Sequence, residues 1–306
     1  MKNQSPSLTT SSLSELQTLR DWVRFFVSEM TRSNVFFGHG SANALDEAVY
    51  LVQSAVHLPV SGGDISPFLD ARVIPSERER LYQFLTDRTV KRRPASYITG
   101  ESWLQGHVFQ VDERVIIPRS FIAELLADQL TPWVNAPEAD LQILDLCTGS
   151  GCLGILAAYA FENARVDCVD LSAQALEVAR ANIEQHQVAD RVQAIESDLY
   201  NALTGRTYDV IVTNPPYVNE GSMGKLPAEY LQEPRMALAG GEDGMDLIRR
   251  IIAEAPQYLN DEGILIIELG NEKQFFEDAF PDLAPVWLEV SAGDEQVLLL
   301  RKEDLV

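Results

Sequence analysis

The sequence predicts an α/β protein: a seven-stranded, mainly parallel sheet with helices on both faces, a small N-terminal helical domain, and a β-hairpin linking the two. Three observations carry this. From Leu141 onward, seven short apolar runs alternate with helical stretches, and strands that alternate with helices make parallel sheets buried on both sides. Before about residue 100 that rhythm is missing, and apolar residues recur at helical spacing instead. A glycine-rich turn follows the first apolar run, and acidic residues stand at the ends of successive runs. That is the arrangement of an open sheet with a ligand crevice beyond its carboxyl ends.

The elements follow in order. Residues 1–12 are polar, Ser/Thr-rich and without an apolar core, so they read as a frayed leader and not a secretion signal. Leu13, Leu16, Leu19, Val23, Phe26, Val27 and Met30 form the apolar stripe of a first helix. Residues 43–57 read as a second, with Leu45, Ala48, Val49 and Val52 on one face, and 57–66 as a loop with Pro and Gly. Residues 76–92 read as a third, with Ser76 as N-cap after Pro75. Runs at 102–105 and 107–111 flank Gly106 and predict a hairpin. Strands are then expected at 141–146, 165–170, 192–196, 208–213, 263–269, 286–290 and 296–301, and helices at 152–161, 173–187, 244–259 and 271–280. The gap between the last two strands is too short for a helical crossover, so they should pair antiparallel at one edge. The expected division is a leader over 1–12, a helical domain over 13–100, a hairpin link over 101–118 and the sheet domain over 119–306.

Composition narrows the function. The 306 residues are 46% hydrophobic and 23% charged, an ordinary globular balance. No apolar run approaches the ~20 residues that span a bilayer, so no membrane role and a cytoplasmic location are expected. Three cysteines, Cys147, Cys152 and Cys168, suit a reduced compartment, and no His or Cys cluster completes a metal site. The histidines are dispersed, and His186, on a polar helix end, reads as solvated. Net charge is −22, from 24 Lys and Arg against 46 Asp and Glu. Such a surface repels a phosphate backbone, which disfavours duplex DNA. It attracts basic proteins and speeds their encounter; it also serves plain solubility.

The segment Asp145-Leu146-Cys147-Thr148-Gly149-Ser150-Gly151-Cys152-Leu153-Gly154 joins the first strand to the next helix. Its glycines permit a sharp turn and close ligand approach, and the helix start offers free N–H groups. Asp170 ends the second strand, where a carboxylate accepts both hydroxyls of a ribose. Asp198 follows the third, near where an adenine edge would lie. Gly149, Gly151 and Gly154 also fit the dinucleotide pattern G-x-G-x-x-G, and a tight turn with no ligand needs the same glycines. Three acidic residues at successive strand ends weigh against an empty turn. Asp145 inside the turn opposes a pyrophosphate and suits the cationic amino and sulfonium groups of S-adenosylmethionine.

After the fourth strand comes Asn214-Pro215-Pro216-Tyr217. Two prolines fix φ at two positions and push Asn214 towards an extended conformation. The result is a stiff loop with a carboxamide before it and a ring after it. The Asn214 side-chain oxygen and the Pro215 carbonyl can both accept from one planar NH2 group, and Tyr217 can lie against its plane. Two acceptors favour a pyramidal nitrogen with an exposed lone pair. A rigid surface loop with no ligand is the plainer use of an Asn-Pro turn.

Together the D-x-C-T-G-S-G-C turn, Asp170 and the Asn-Pro-Pro-Tyr loop resemble class I S-adenosylmethionine-dependent methyltransferases that modify planar amino groups. The chain is most similar to the bacterial protein-glutamine N5-methyltransferases, whose two branches act on release factors or on the large-subunit ribosomal protein L-three. Phe37-Gly38-His39-Gly40 and the run Leu226-Pro227-Ala228-Glu229-Tyr230, continuing to Glu233-Pro234, resemble the ribosomal-protein branch. Phe36-Phe37 departs from it, because an aromatic pair including Trp and Tyr is more usual there. Residues 117–120, Ile117-Pro118-Arg119-Ser120, resemble the family segment leading into the catalytic domain, and nearby Glu124 reads as an exposed helix carboxylate.

The resemblance implies a Rossmann-like, seven-stranded catalytic domain and a helical domain for substrate recognition. It implies S-adenosylmethionine as cofactor, held by Asp145, Cys147, Thr148, Gly149 and Gly151 in the turn, Asp170 at the ribose, Asp198 and Leu199 at the adenine region, and Asn214 beside the methyl group. Asn214, Pro215, Pro216 and Tyr217 would carry the chemistry, transfer to a glutamine side-chain nitrogen of ribosomal protein L-three, a basic partner met free or in the assembling large subunit. A release-factor glutamine methyltransferase would share this chemistry. An adenine-amine DNA methyltransferase would share the loop but need a basic groove.

Overall fold

The computed structural model describes residues 13–59 and 64–305; the expected leader lies outside them. The chain forms two compact units, Met1–Glu101 with Pro227–Gln232, and Ser102–Leu226 with Glu233–Val306. Among the described residues no helix is long and apolar enough to cross a membrane.

The first unit is helical. α1 (Leu19–Arg32) begins later than the apolar stripe suggests, because Thr18 caps it. The Thr18 hydroxyl accepts from the Asp21 N–H at 3.2 Å, and the Asp21 carboxylate accepts from the Thr18 N–H at 2.9 Å. This reciprocal pair satisfies two orphan donors, and it holds the Asp21 carboxyl below its ordinary range. α2 (Ala44–Ala55) is capped by Asn43. α3 (Pro75–Thr89) starts with Pro75 at its first position, so Ser76 is inside the helix and is not its cap. Proline lacks the N–H that a cap would satisfy, and Glu77 instead folds back to the Ile74 N–H at 3.0 Å. α4 (Ala95–Thr99) closes the set. Trp22, Phe26, Met30, Leu51, Leu81 and Leu85 are fully buried at its centre.

An ion cluster is sealed in the same unit. Arg88, 1% exposed, donates to Glu47 at 2.5 Å, to Glu229 at 3.2 Å and to the Phe36 carbonyl at 2.8 Å. Arg92 reaches Glu229 at 2.7 Å. Glu229 arrives on the 227–232 stretch, far along the chain from its partners.

After the hairpin of β1 (Glu101–Leu104) and β2 (His107–Gln110) comes α5 (Ile122–Ala127). The sheet then contains β3 (Gln142–Leu146), β4 (Arg165–Asp170), β5 (Val192–Glu196), β6 (Tyr208–Thr213), β7 (Leu259–Glu268), β8 (Val286–Val290) and β9 (Gly293–Arg301), in the order β5-β4-β3-β6-β7-β9-β8. Five strands are parallel; β9 runs antiparallel to β7, and β8 to β9, as the short connection requires. One face is covered by α5, α6 (Cys152–Ala160) and α7 (Ala173–Gln185), the other by α8 (Asp246–Glu254) and α9 (Lys273–Ala279). β7 starts four residues before the apolar run: Leu259 pairs with Tyr208, then a bulge passes the polar 260–262 and pairing resumes at Val210 and Ile264. α8 starts after Gly244, whose φ of +83° lies outside a right-handed helix.

His186 is not simply solvated. Its ring stacks on Phe109 and its Nε2 lies 2.9 Å from the Val108 carbonyl; burial holds its pKa below the ordinary value, against that hydrogen bond. Glu124 likewise has work: its carboxylate accepts from both the Ser291 N–H and hydroxyl.

The Arg88 cluster yields a stability prediction. Arg88→Met leaves Glu47 and Glu229 buried without their common cation. Loss of one partner from a buried ion cluster costs about 3–5 kcal/mol, and urea unfolding should show a loss of that order.

Candidate active site

The sheet order reverses at β3: the chain moves outward to β4 and β5, then returns to place β6 on the other side. Loops leaving β3 and β6 therefore diverge and open a crevice at their carboxyl ends. One cavity lies there, lined by Cys147 and Gly149 after β3, Asp170 at the end of β4, Asp198 and Leu199 after β5, and Asn214 and Pro216 after β6. Seven residues expected from sequence thus share one surface. Arg114, Leu171, Met236 and Leu247 are among the other residues that line it. No local pattern pointed to these four: Arg114, Met236 and Leu247 come from distant parts of the chain, and Leu171, next to Asp170, belongs to no motif.

Asp170 is held by two backbone donors. One carboxylate oxygen accepts from the Gly149 N–H and the other from the Ser172 N–H, each at 2.9 Å. Each oxygen keeps a further lone pair, which fits a pair of vicinal hydroxyls. Burial pushes this carboxyl above its ordinary value, against those two backbone donors. A Cβ placed on Gly149 would meet no protein atom within 4 Å, so space for a ligand is open over the turn. A diol acceptor, open space and a second carboxylate at Asp198 suit a cationic adenosyl ligand. Asp198 also pairs with Arg250 at 3.0 Å.

Cys147, directly after β3, and Leu199, in the loop after β5, both sit at positive φ, +62° and +49°. That conformation costs a non-glycine residue about 1–3 kcal/mol, and it collects at ligand sites. Burial pushes the Cys147 thiol well above its ordinary value.

The other five expected residues, Asp145, Thr148, Gly151, Pro215 and Tyr217, are not among those that line the cavity. Asp145 is turned beneath the turn, where Oδ2 accepts from the Thr148 hydroxyl and from the Gly154 N–H at 2.8 Å. The expected contact with a cationic ligand is replaced here by a clamp that ties the turn to α6. Gly154 is needed for packing: a Cβ there would lie 2.2 Å from the Cys168 sulfur. Gly151 caps α6 at a φ of +81°.

Pro215 is buried and Tyr217 is half-buried. A Cβ on Gly270 would fall 2.8–3.0 Å from the Tyr217 ring, and one on Gly244 would fall 2.2 Å from its carbonyl oxygen. Two glycines outside any ligand motif therefore shape the seat of this loop. Asn214 is held by Glu268, whose Oε1 accepts from the carboxamide Nδ2 at 3.0 Å. Burial raises the Glu268 carboxyl above its ordinary value; donors from Ser120 and Phe121 and the charge of Arg119 oppose this. Beyond the loop, Glu233 takes both Arg119 guanidinium nitrogens, at 2.5 and 2.8 Å, and the Ile117 N–H at 3.0 Å. In the helical unit the two branch-specific segments meet: Tyr230 packs against Phe36 and His39, with ring centroids 5.9 and 4.3 Å apart.

Asp145 generates a pH prediction. Burial first, against the Thr148 and Gly154 hydrogen bonds, pushes its carboxyl up to about 7. A raised native pKa contributes stability that is complete below the unfolded value near 3.8 and is lost as pH rises through about 7. Asp145→Asn removes this titration. Calorimetry between about pH 5 and pH 8 should give a flatter melting-temperature profile for the variant than for the wild type.

Residues 123–242 match the methyltransferase small domain family. Along nearly its whole length the chain is similar to three curated ribosomal protein uL3 glutamine methyltransferases. That of Bordetella pertussis is 56% identical over 95% of this chain and 97% of its own. That of Burkholderia pseudomallei is 52% identical over 97% and 98%, and that of Neisseria gonorrhoeae 47% identical over 95% and 97%. With this extent of identity, and with the glycine turn, Asp170 and the Asn-Pro-Pro-Tyr loop gathered at one crevice, the chain belongs to the ribosomal protein uL3 glutamine methyltransferases.

Proposed function

We propose that this protein transfers a methyl group from S-adenosylmethionine to the side-chain amide nitrogen of a glutamine in ribosomal protein uL3, giving N5-methylglutamine. The observation that carries the reading is the shared cavity: Asn214 and Pro216 lie on the same surface as Gly149, Asp170, Asp198 and Leu199. S-adenosylmethionine, when bound, supplies a methyl group activated by a sulfonium. Asp170 accepts the ribose hydroxyls, Cys147 and Gly149 shape the methionine end, and Asp198 and Leu199 border the adenine. Asn214 Oδ1 and the Pro215 carbonyl each accept one hydrogen of the glutamine NH2. They orient the nitrogen and free its lone pair from conjugation. Tyr217 backs the amide plane. The gain comes from orientation and fixed dipoles. No strong base is required, because an alkylated amide nitrogen is acidic and releases its proton to water.

Charge argues for the free ribosomal protein as substrate. The helical unit has 11 basic against 12 acidic residues, net −1; the catalytic unit has 13 against 34, net −21. A unit so acidic is repelled by ribosomal RNA and attracted to the basic surface that a ribosomal protein turns to RNA before packing on it.

Three measurements test this. Asp170→Ala should weaken S-adenosylhomocysteine binding by about 1–3 kcal/mol in calorimetry, the scale of hydrogen bonds to a charged group; unchanged affinity would reject the ribose assignment. Asn214→Ala should lower kcat by roughly 10²–10³-fold, as for loss of one orienting polar contact at a reacting centre, with the melting temperature kept. Free uL3 should be methylated faster than uL3 in assembled large subunits, and added salt should slow the reaction on free uL3. Faster reaction on assembled subunits would overturn the charge argument.

A further inference from the structure

We propose that Glu268 is a positioning residue for methyl transfer: its carboxylate decides which way the Asn214 carboxamide faces, turning the oxygen and not the NH2 towards the substrate nitrogen. The inference rests on the reading of Asn214 as an acceptor. A carboxamide is nearly symmetric in shape, and its two orientations present opposite chemistry. An acceptor site works only if something fixes the choice.

Glu268 is placed to fix it. β6 and β7 are parallel neighbours with Thr213 opposite Ile267, so Asn214 and Glu268 come next on adjacent strands. Glu268 is 2% exposed. Its Oε2 accepts from the Ser120 hydroxyl at 2.5 Å and from the Phe121 N–H at 2.8 Å. A backbone N–H can only donate, so this end of the side chain must remain an acceptor. Its Oε1 accepts from Asn214 Nδ2 at 3.0 Å. While ionised, the carboxylate offers Asn214 no donor, so the carboxamide commits its NH2 here, as the contact shows, and leaves Oδ1 for the cavity side.

The substitution Glu268→Gln separates this role from packing. The introduced carboxamide keeps the shape, and its oxygen must stay on the Phe121 N–H. Its NH2 then meets Asn214, which turns its own oxygen to it and presents NH2 to the substrate. Asn214→Asp in that background restores the acceptor. One oxygen of the new carboxylate takes the NH2 introduced by E268Q, and the other faces the substrate. Asn214→Asp alone sets two carboxylates against each other.

The test is steady-state methylation of uL3 with labelled S-adenosylmethionine, with S-adenosylhomocysteine calorimetry on the same proteins. E268Q should lose about 100-fold in kcat, with cofactor affinity and the KM for uL3 unchanged. N214D/E268Q should recover at least about tenfold over E268Q, a gain that a packing role would not give. A wild-type kcat for E268Q, with N214A impaired, overturns the proposal and leaves the Asn214 reading standing. An impaired E268Q that N214D does not rescue also overturns it. A wild-type kcat for N214A removes the Asn214 reading and this inference together. Should E268Q fail to fold, the double variant is compared with N214D alone: a faster double supports the orientation role, and an equal or slower one overturns it.

Discussion

Buried carboxylates that accept loop N–H groups hold the working end of this molecule together. Loops beyond the carboxyl ends of a sheet have no ladder to satisfy their donors, and an unpaired buried N–H is costly. Here side-chain acids take that place. Asp145 accepts from Gly154, Asp170 from Gly149 and Ser172, Glu233 from Ile117, and Glu268 from Phe121. In the helical unit Glu229 does the same for Phe36. Four of these acids bind a further side chain as well: Thr148 for Asp145, Arg119 for Glu233, Ser120 and Asn214 for Glu268, and Arg88 and Arg92 for Glu229. The loops are thereby fixed without strands of their own, and irregular backbone can present a rigid surface.

Buried negative charge has consequences that differ from site to site. Glu229 and Glu233 are matched by arginines, so breaking either pair leaves an uncompensated charge. Asp145 has no such cation: its Oδ1 has no hydrogen-bond partner among the described residues, and its carboxyl is driven towards the neutral form. Asp170 lies between these cases, held by two backbone donors and still open on the cavity side. Acidic side chains thus occur in three settings here, paired with arginine, buried without a cation, and open on a cavity, and the surroundings set the charge each can keep.

Local pattern and tertiary packing divide what could be read from sequence. The seven strands, their parallel order and the antiparallel edge were legible because apolar periodicity reports burial directly. The glycine turn, Asp170 and the Asn-Pro-Pro-Tyr loop were legible because each marks its own strand end. Where a bulge interrupts periodicity, as at 260–262 before Ile264, the start of β7 was hidden. Partners far apart in the chain were hidden too. Glu268 meets Ser120 across 148 residues, Glu233 meets Arg119 across 114, and Glu229 meets Phe36 across 193. A glutamate with such partners looks, in one dimension, like any surface acid. Asp145 stands out for its place in the turn, but its direction depends on Thr148 and Gly154 folding over it, which composition does not reveal.

After the Asn-Pro-Pro-Tyr loop the chain passes from one compact unit to the other and back. Asn214 and Tyr217 stand on the catalytic unit, yet 227–232, only ten residues beyond Tyr217, belongs to the helical unit. There Glu229 is gripped by Arg88 and Arg92, and Tyr230 packs on Phe36 and His39. At Glu233 the chain is back in the catalytic unit, held by Arg119. The Asn-Pro-Pro-Tyr loop is thus followed in sequence by a segment whose glutamates Glu229 and Glu233 are each held by arginine. Tyr230, Phe36 and His39 belong to the helical unit, while Asn214 and Glu268 lie at the ends of neighbouring sheet strands in the other. Two arginine-held glutamates four residues apart therefore fix the chain in the two units separately: Glu229 by the buried Arg88 cluster, whose partners Glu47, Phe36 and Arg92 belong to its own unit, and Glu233 by Arg119 in the other.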